Sequence, residues 1–191
     1  MANEAITLEH LGIEVQTPEN FVFHNEGYMS FSSFLDSICL NRFGRRATYR
    51  EMMSYSLARF DGAYFDYEIE KSGQKTKHAH IFVSTEIEHL SPLNLFTYGH
   101  EETHLILNNI PHGKNLLKKL LETGTNTGGF EEITNEETLA DLGGFACLHS
   151  KKIPIGDLQN SQWHDFLEQG KKFEMLEKPE YIEALDFWTK R

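Results

Sequence analysis

Cysteine is scarce in this chain, with Cys39 and Cys147 the only two in 191 residues. Two thiols cannot build a disulfide framework, and both read as small buried hydrophobes. Long apolar runs are missing as well. No stretch approaches the roughly 18 consecutive apolar residues of a membrane-spanning helix, and Met1-Ala2-Asn3-Glu4-Ala5 lacks the basic start and apolar run of a secretory leader. The expectation is a cytoplasmic chain with no membrane partner, although a protein exported without a cleavable signal would look the same. Positive charge is also sparse: 18 Lys and Arg stand against 29 Asp and Glu, a net charge of −11. Phosphate backbones are bound by clustered cations, so nucleic acid is not an expected partner. The one basic cluster, Arg42, Arg45, Arg46 and Arg50, reads as a solvated helix face. Repeats and low-complexity segments are absent.

What remains is ordinary globular composition, 39% apolar and 12% aromatic, enough to core one domain over residues 1–191. Residues 1 to 27 look irregular or extended, and 31–40 and 48–60 show mostly helical spacing. Two alternating segments, 63–70 and 76–84, flank the turn Lys71-Ser72-Gly73-Gln74 and predict a β-hairpin. His78 and His80 alternate on its second strand; a second metal site and a solvent-facing pair are both open readings. Leu116, Leu117, Leu120 and Leu121 predict a short amphipathic helix. The loop Gly124-Thr125-Asn126-Thr127-Gly128-Gly129 has no phosphate-binding ending and reads as a surface loop able to act as a lid. Trp163, Phe166 and Leu167, then Ile182, Leu185, Phe187 and Trp188, predict C-terminal helices packed on the core.

The segment that carries chemistry lies between Ser91-Pro92 and Pro111. Ser at the N-cap and Pro at the first helical position start a helix, and the second proline stops it. Within it, Leu93, Phe96, His100, His104 and Leu107 share one stripe. Residues 100–104 read His-Glu-Glu-Thr-His, so His100 and His104 present two imidazoles one turn apart, with Glu101 beside them. An inward histidine is usually a hydrogen-bonded core residue. Two of them stacked with a carboxylate alongside are costly to desolvate without a shared partner. A zinc ion is that partner: the histidines ligate, and Glu101 can take a proton from water as general base.

A third ligand is expected from a second helix, where Glu137-Thr138-Leu139-Ala140-Asp141 has the form ExxAD. Thr134-Asn135-Glu136-Glu137 also fits a capping box, which would turn Glu137 back on its own helix. On the predicted helix, however, Glu137, Ala140, Asp141, Gly144 and Leu148 lie on one face, and Ala140, Gly143 and Gly144 are small enough for close helix approach. Two His and one Glu leave the fourth position of one zinc per chain open, the mark of a catalytic site. Asp141 can accept the second ring N–H of a ligating histidine. His112 is the competing third ligand, but it sits in a turn between Pro111 and Gly113.

These residues resemble the gluzincin metallopeptidases, in which HExxH supplies two ligands and the base, and a downstream ExxxD helix supplies a Glu ligand and a supporting Asp. His100, Glu101, His104, Glu137 and Asp141 match. Thr103 is similar to the HELTH form of thermolysin-like members, and ETLADLGG at 137–144 to the ENIADLGG-type stretch of neprilysin-like ones. Chain length and the entry Phe96-Thr97-Tyr98-Gly99-His100-Glu101 resemble the small intracellular ImmA/IrrE and minigluzincin groups. The likeness spans roughly residues 63–150, with a longer interval to Glu137 than the most compact relatives have. It implies an α+β, zincin-like fold: a small antiparallel sheet packed on the HExxH helix and a Glu-bearing helix. It also implies a strand beside the helix that binds substrate.

The expected activity is zinc-dependent peptide hydrolysis on a peptide or protein substrate. Narrow cleavage of one intracellular protein and a non-enzymatic zinc module that binds a partner are the alternatives. Retention of Glu101 speaks against the module. The oxyanion partner is open among Tyr98, His149 and His164, and the oligomeric state is not legible.

Overall fold

A computed structural model describes residues 5–55 and 61–190. Among these the chain is an α+β fold of two small sheets and seven α-helices. Strands β1 (Ala5–Leu8) and β2 (Ile13–Gln16) form an antiparallel hairpin. Strands β3 (Phe21–Met29), β4 (Gly62–Lys71) and β5 (Gln74–Ser84) form a second sheet in the order β3-β5-β4. The β4–β5 hairpin closes through Ser72 and Gly73, at φ 52° and 77°. Two left-handed central residues give the turn whose twist matches that of paired strands.

The sheet differs from the expected antiparallel one. β5 pairs antiparallel with β4 but parallel with β3, and the stretch read as irregular or extended holds β1, β2 and most of β3. Local alternation reveals a hairpin; the pairing of residues 21–29 with 77–84 is long-range and leaves no local signature.

Alternation along β5 gives the sheet two different faces. Ala79 and Val83 pack toward the side of α3 (Pro92–Asn109), while Phe82 packs with Phe34, Ile38 and Tyr67. Phe34 and Ile38 belong to α1 (Phe31–Phe43), which covers the opposite face. Helix α2 (Tyr49–Tyr55) follows α1, and the rest of the expected helix, 56–60, lies outside the described residues. The β1–β2 hairpin sets Leu8, Leu11 and Val15 against Leu105, Ile106 and Ile110 at the end of α3.

Beyond α3 come α4 (Gly113–Leu121), α5 (Glu136–Ser150), α6 (Ser161–Lys172) and α7 (Pro179–Thr189). Trp163, Phe166, Phe187 and Trp188 are buried with Phe96 and Phe145 in the main core, as expected for C-terminal helices, although Ile182 turns outward. Cys39 and Cys147 are buried free thiols. No helix of the described residues is long and apolar enough to cross a membrane.

Candidate metal centre

The site is assembled by the crossing of α3 and α5. Ser91 caps α3 by accepting the Asn94 amide, Pro92 occupies the first turn, and Ile110 precedes the proline that ends it. His100 and His104 therefore stand on consecutive turns, with their Nε2 atoms 3.1 Å apart. The cap of α5 is Asn135, which accepts the Glu137 amide at 2.9 Å, not Thr134. The capping-box reading of Glu137 falls with it. Its carboxylate instead faces both imidazoles, Oε2 lying 3.4 Å from His100 Nε2 and Oε1 3.6 Å from His104 Nε2.

Both Nδ1 atoms are held from behind by carboxylates. His100 Nδ1 meets Asp141 Oδ1 at 2.8 Å, and His104 Nδ1 meets Glu136 Oε1 at 2.7 Å. Asp141 is the supporting residue that the motif named. Glu136 was not singled out from sequence, since an acidic residue in a first helical turn is ordinary. A carboxylate only accepts, so each Nδ1 carries a proton and each Nε2 is turned toward the Glu137 carboxylate. Protons on the Nε2 atoms or a metal ion between them and the carboxylate can hold these groups together.

The spacing fits zinc. Ligand atoms 2.0–2.1 Å from a tetrahedral ion lie about 3.3 Å from one another; here the two Nε2 atoms are 3.1 Å apart, and one Glu137 oxygen lies 3.4 Å from His100 and the other 3.6 Å from His104. His100, His104 and Glu137 thus form a group that could hold a metal ion.

Close packing of the helices makes this reach available. A Cβ on Gly143 would lie 1.7 Å from Thr103 Oγ1, and one on Gly99 would lie 2.7 Å from the Cys147 Cβ. Only glycine fits at these crossing points. Thr103, fully buried, turns its hydroxyl onto the Gly99 carbonyl at 2.7 Å, so its polar atom is satisfied within α3.

Charge is strongly redistributed here. Burial lowers the tendency of His100 to protonate, but hydrogen bonds to Asp141 and Glu137 and the charges of Glu101 and Asp141 outweigh it, so its pKa lies well above the ordinary value. His104 is raised too, its burial overcome chiefly by the Glu137 hydrogen bond. Glu137 is held far below the carboxylate range by the same two contacts. Glu101 behaves oppositely. Burial pushes its carboxyl up to about 7, with the two imidazoles pulling it down and no hydrogen bond contributing.

The group opens into a cleft of about 490 Å³. Residues 61–64 at the start of β4 form one wall, and Met175, Lys178 and Glu180 form another. Gly62 sits so close to Glu101 that a Cβ there would lie 3.0 Å from Oε1 and 2.6 Å from Thr97 Cγ2. Tyr64, Asn108 and Lys178 line the cleft and were not anticipated, because none of them belongs to a motif.

Other expected candidates lie elsewhere. His112 is exposed at the start of α4, outside the ligand group. Tyr98 stacks on His10 at 3.9 Å, His149 packs beside Trp188, and His164 is exposed; none lines the cleft. The loop at 124–129, read as able to act as a lid, does not line the cleft either. Gly124 packs against His149 and Trp188, and the Thr125 hydroxyl donates to the Trp188 carbonyl at 2.9 Å, tying the loop to α7 away from the cleft. No family model, curated protein or solved structure matches the chain.

Proposed function

We propose that this chain is a zinc-dependent metallopeptidase of gluzincin type, with a zincin-like fold. The observation that carries the proposal is the convergence of two Nε2 atoms and the Glu137 carboxylate, with a separate carboxylate behind each imidazole. Outer carboxylates of this kind fix tautomer and ring orientation in metal-binding histidines.

His100, His104 and Glu137 would hold a zinc ion, which when bound would supply Lewis acidity toward a carbonyl and toward water. Glu101 is the base. Its buried carboxylate stands beside the ligand histidines, where a positioned group accepts and returns a proton efficiently. It takes the proton from water and passes it to the departing amine. Gly62 lets the β4 backbone lie against that carboxylate, where a Cβ would collide with Thr97, Phe82 and Glu101.

The edge strand supports peptide as the substrate. β4 pairs only with β5 among the described residues, and its first residues line the cleft, so an extended peptide can add there as a further strand. Asp61, Glu136 and Glu180 stand in the cleft walls against the single cation Lys178, which favours basic peptides.

Glu101→Gln tests the reading. It keeps size and all three ligands, so zinc content by elemental analysis and the melting temperature of the zinc-loaded protein stay near wild type. Cleavage in a peptide-library screen falls by about 10²- to 10⁴-fold, the usual worth of a positioned acid–base group. Cleavage equal to wild type removes Glu101 from the mechanism. Zinc and peptide binding without cleavage by either form makes the chain a binding module.

A further inference from the structure

The sheet carries a second constellation on the face turned away from α3. In the β3–β5 register His24 stands opposite His80, and Val22 stands opposite His78. Alternation therefore puts His24, His78 and His80 on one face, the face covered by Phe34 and Ile38 of α1. The β3 register shifts between Asn25 and Gly27, and Glu26 at that irregularity reaches the same place. One nitrogen from His24, one from His80 and one oxygen from Glu26 lie within 4.8 Å of one another.

Hydrogen bonds organise this group as well, here with the carboxylate meeting an imidazole directly. His80 is fully buried, and its two nitrogens meet Glu26 Oε1 at 2.7 Å and the Tyr67 hydroxyl at 3.0 Å. The Ser37 hydroxyl donates to the same Glu26 oxygen at 2.8 Å. His24 stacks on His80 with ring centroids 4.1 Å apart, and its Nε2 lies 3.1 Å from His78 Nδ1. Each potential ligand thus has a partner that orients it: Tyr67 for His80, Ser37 for Glu26 and His78 for His24. A solvent-facing histidine pair needs none of this. Three imidazoles and one carboxylate under a helix are expensive polar groups to gather, and a shared ion explains why they are together.

We propose that His24, Glu26 and His80 bind a second divalent transition-metal ion, distinct from the His100–His104–Glu137 centre. Two imidazoles and one carboxylate suit zinc or cobalt better than calcium or magnesium, which prefer all-oxygen sites. His80 Nδ1 and Glu26 Oε1 are joined by a direct 2.7 Å hydrogen bond, and the partly exposed His24 and Glu26 side chains shift to admit the ion. The ion ties β3 to β5, and through Ser37 it ties α1 to the sheet.

The test uses the full chain carrying His100→Ala and His104→Ala, so that its outcome is independent of the peptidase reading. Titration with Zn²⁺ followed by calorimetry, and with Co²⁺ followed by visible absorption, gives one equivalent per chain. Adding His24→Gln or Glu26→Gln weakens that binding by more than the roughly 10- to 100-fold cost of losing an outer support. Glu26→Gln retains a carbonyl oxygen for the Ser37 hydroxyl, and melting curves in chelator establish that each variant folds. Absence of a binding equivalent in the His100→Ala/His104→Ala protein overturns the proposal. So does one equivalent whose affinity neither the His24 nor the Glu26 substitution changes.

Discussion

Gly143→Ala probes the helix crossing on which the whole centre depends. The added Cβ would lie 1.7 Å from Thr103 Oγ1, 2.8 Å from Thr103 Cβ and 3.1 Å from the Gly99 carbonyl. Relaxed carbon contacts need about 3.5 Å, so well over 1 Å of displacement is required at the worst of these. Turning Thr103 about χ1 moves the hydroxyl away only by breaking its bond to the Gly99 carbonyl or by placing the methyl in the gap. The helices must separate instead. Overpacking of this kind costs roughly 1–3 kcal/mol, and at about 2–4 °C per kcal/mol for a chain of this size the melting temperature drops by about 2–12 °C. Because α5 carries Glu137, the same separation withdraws a ligand, and zinc affinity falls as well. Thr103→Ala in the same chain removes the 1.7 Å clash and leaves the 2.8 and 3.1 Å contacts, so the double variant recovers part of both losses. Calorimetric melting and zinc titration of the four proteins measure the coupling. A Gly143→Ala protein with wild-type melting temperature and zinc affinity, or losses that simply add with those of Thr103→Ala, refutes the close crossing.

Other consequences can be checked separately. Asp141→Asn and Glu136→Gln each weaken zinc binding by roughly 10- to 100-fold by releasing one imidazole, and unchanged affinity in competition titrations makes that carboxylate an ordinary helix residue. The Glu101 carboxyl is raised from 4.5 to about 7, so the metal-free fold binds its proton more tightly than the unfolded chain does. Ionised Glu101 therefore destabilises the metal-free protein progressively from pH 4.5 to about 7. At roughly 1.4 kcal/mol per pH unit, Glu101→Gln stabilises the metal-free protein at pH 8 by on the order of 3 kcal/mol, with the gain shrinking toward pH 4.5. Denaturant melts in chelator across that range show it, and a pH-independent difference counts against the cause. Finally, buried Glu102 accepts from the His10 ring at 3.0 Å and from the Leu11 amide at 2.8 Å, pinning the turn of the N-terminal hairpin to α3. Glu102→Ala strands these donors and costs roughly 1.5–3 kcal/mol; a melting temperature within a degree of wild type means the hairpin is not anchored there.

The sequence by itself determined the α3 helix and the stacking of its two histidines. Capping at Ser91-Pro92, the stop at Pro111 and the four-residue spacing of His100 and His104 are local rules, and local rules survive folding. The β4–β5 hairpin was legible for the same reason, since a two-residue turn between alternating segments needs no distant partner. Glu137 was read from sequence both as third ligand and as part of a capping box with Thr134, and only the fold, which caps α5 with Asn135, removed the second reading. Tertiary structure alone decided the rest. It put Glu136 behind His104, brought β3 alongside β5 in parallel, and buried His80 where the alternation of His78 and His80 left exposure open. It carried the glycine-rich loop, Tyr98, His149 and His164 away from the cleft while bringing Lys178 and Tyr64 into it. Each of these depends on which elements pack together across tens of residues, and that is settled by the fit of whole faces, such as glycines meeting at a helix crossing, rather than by any spacing within one segment.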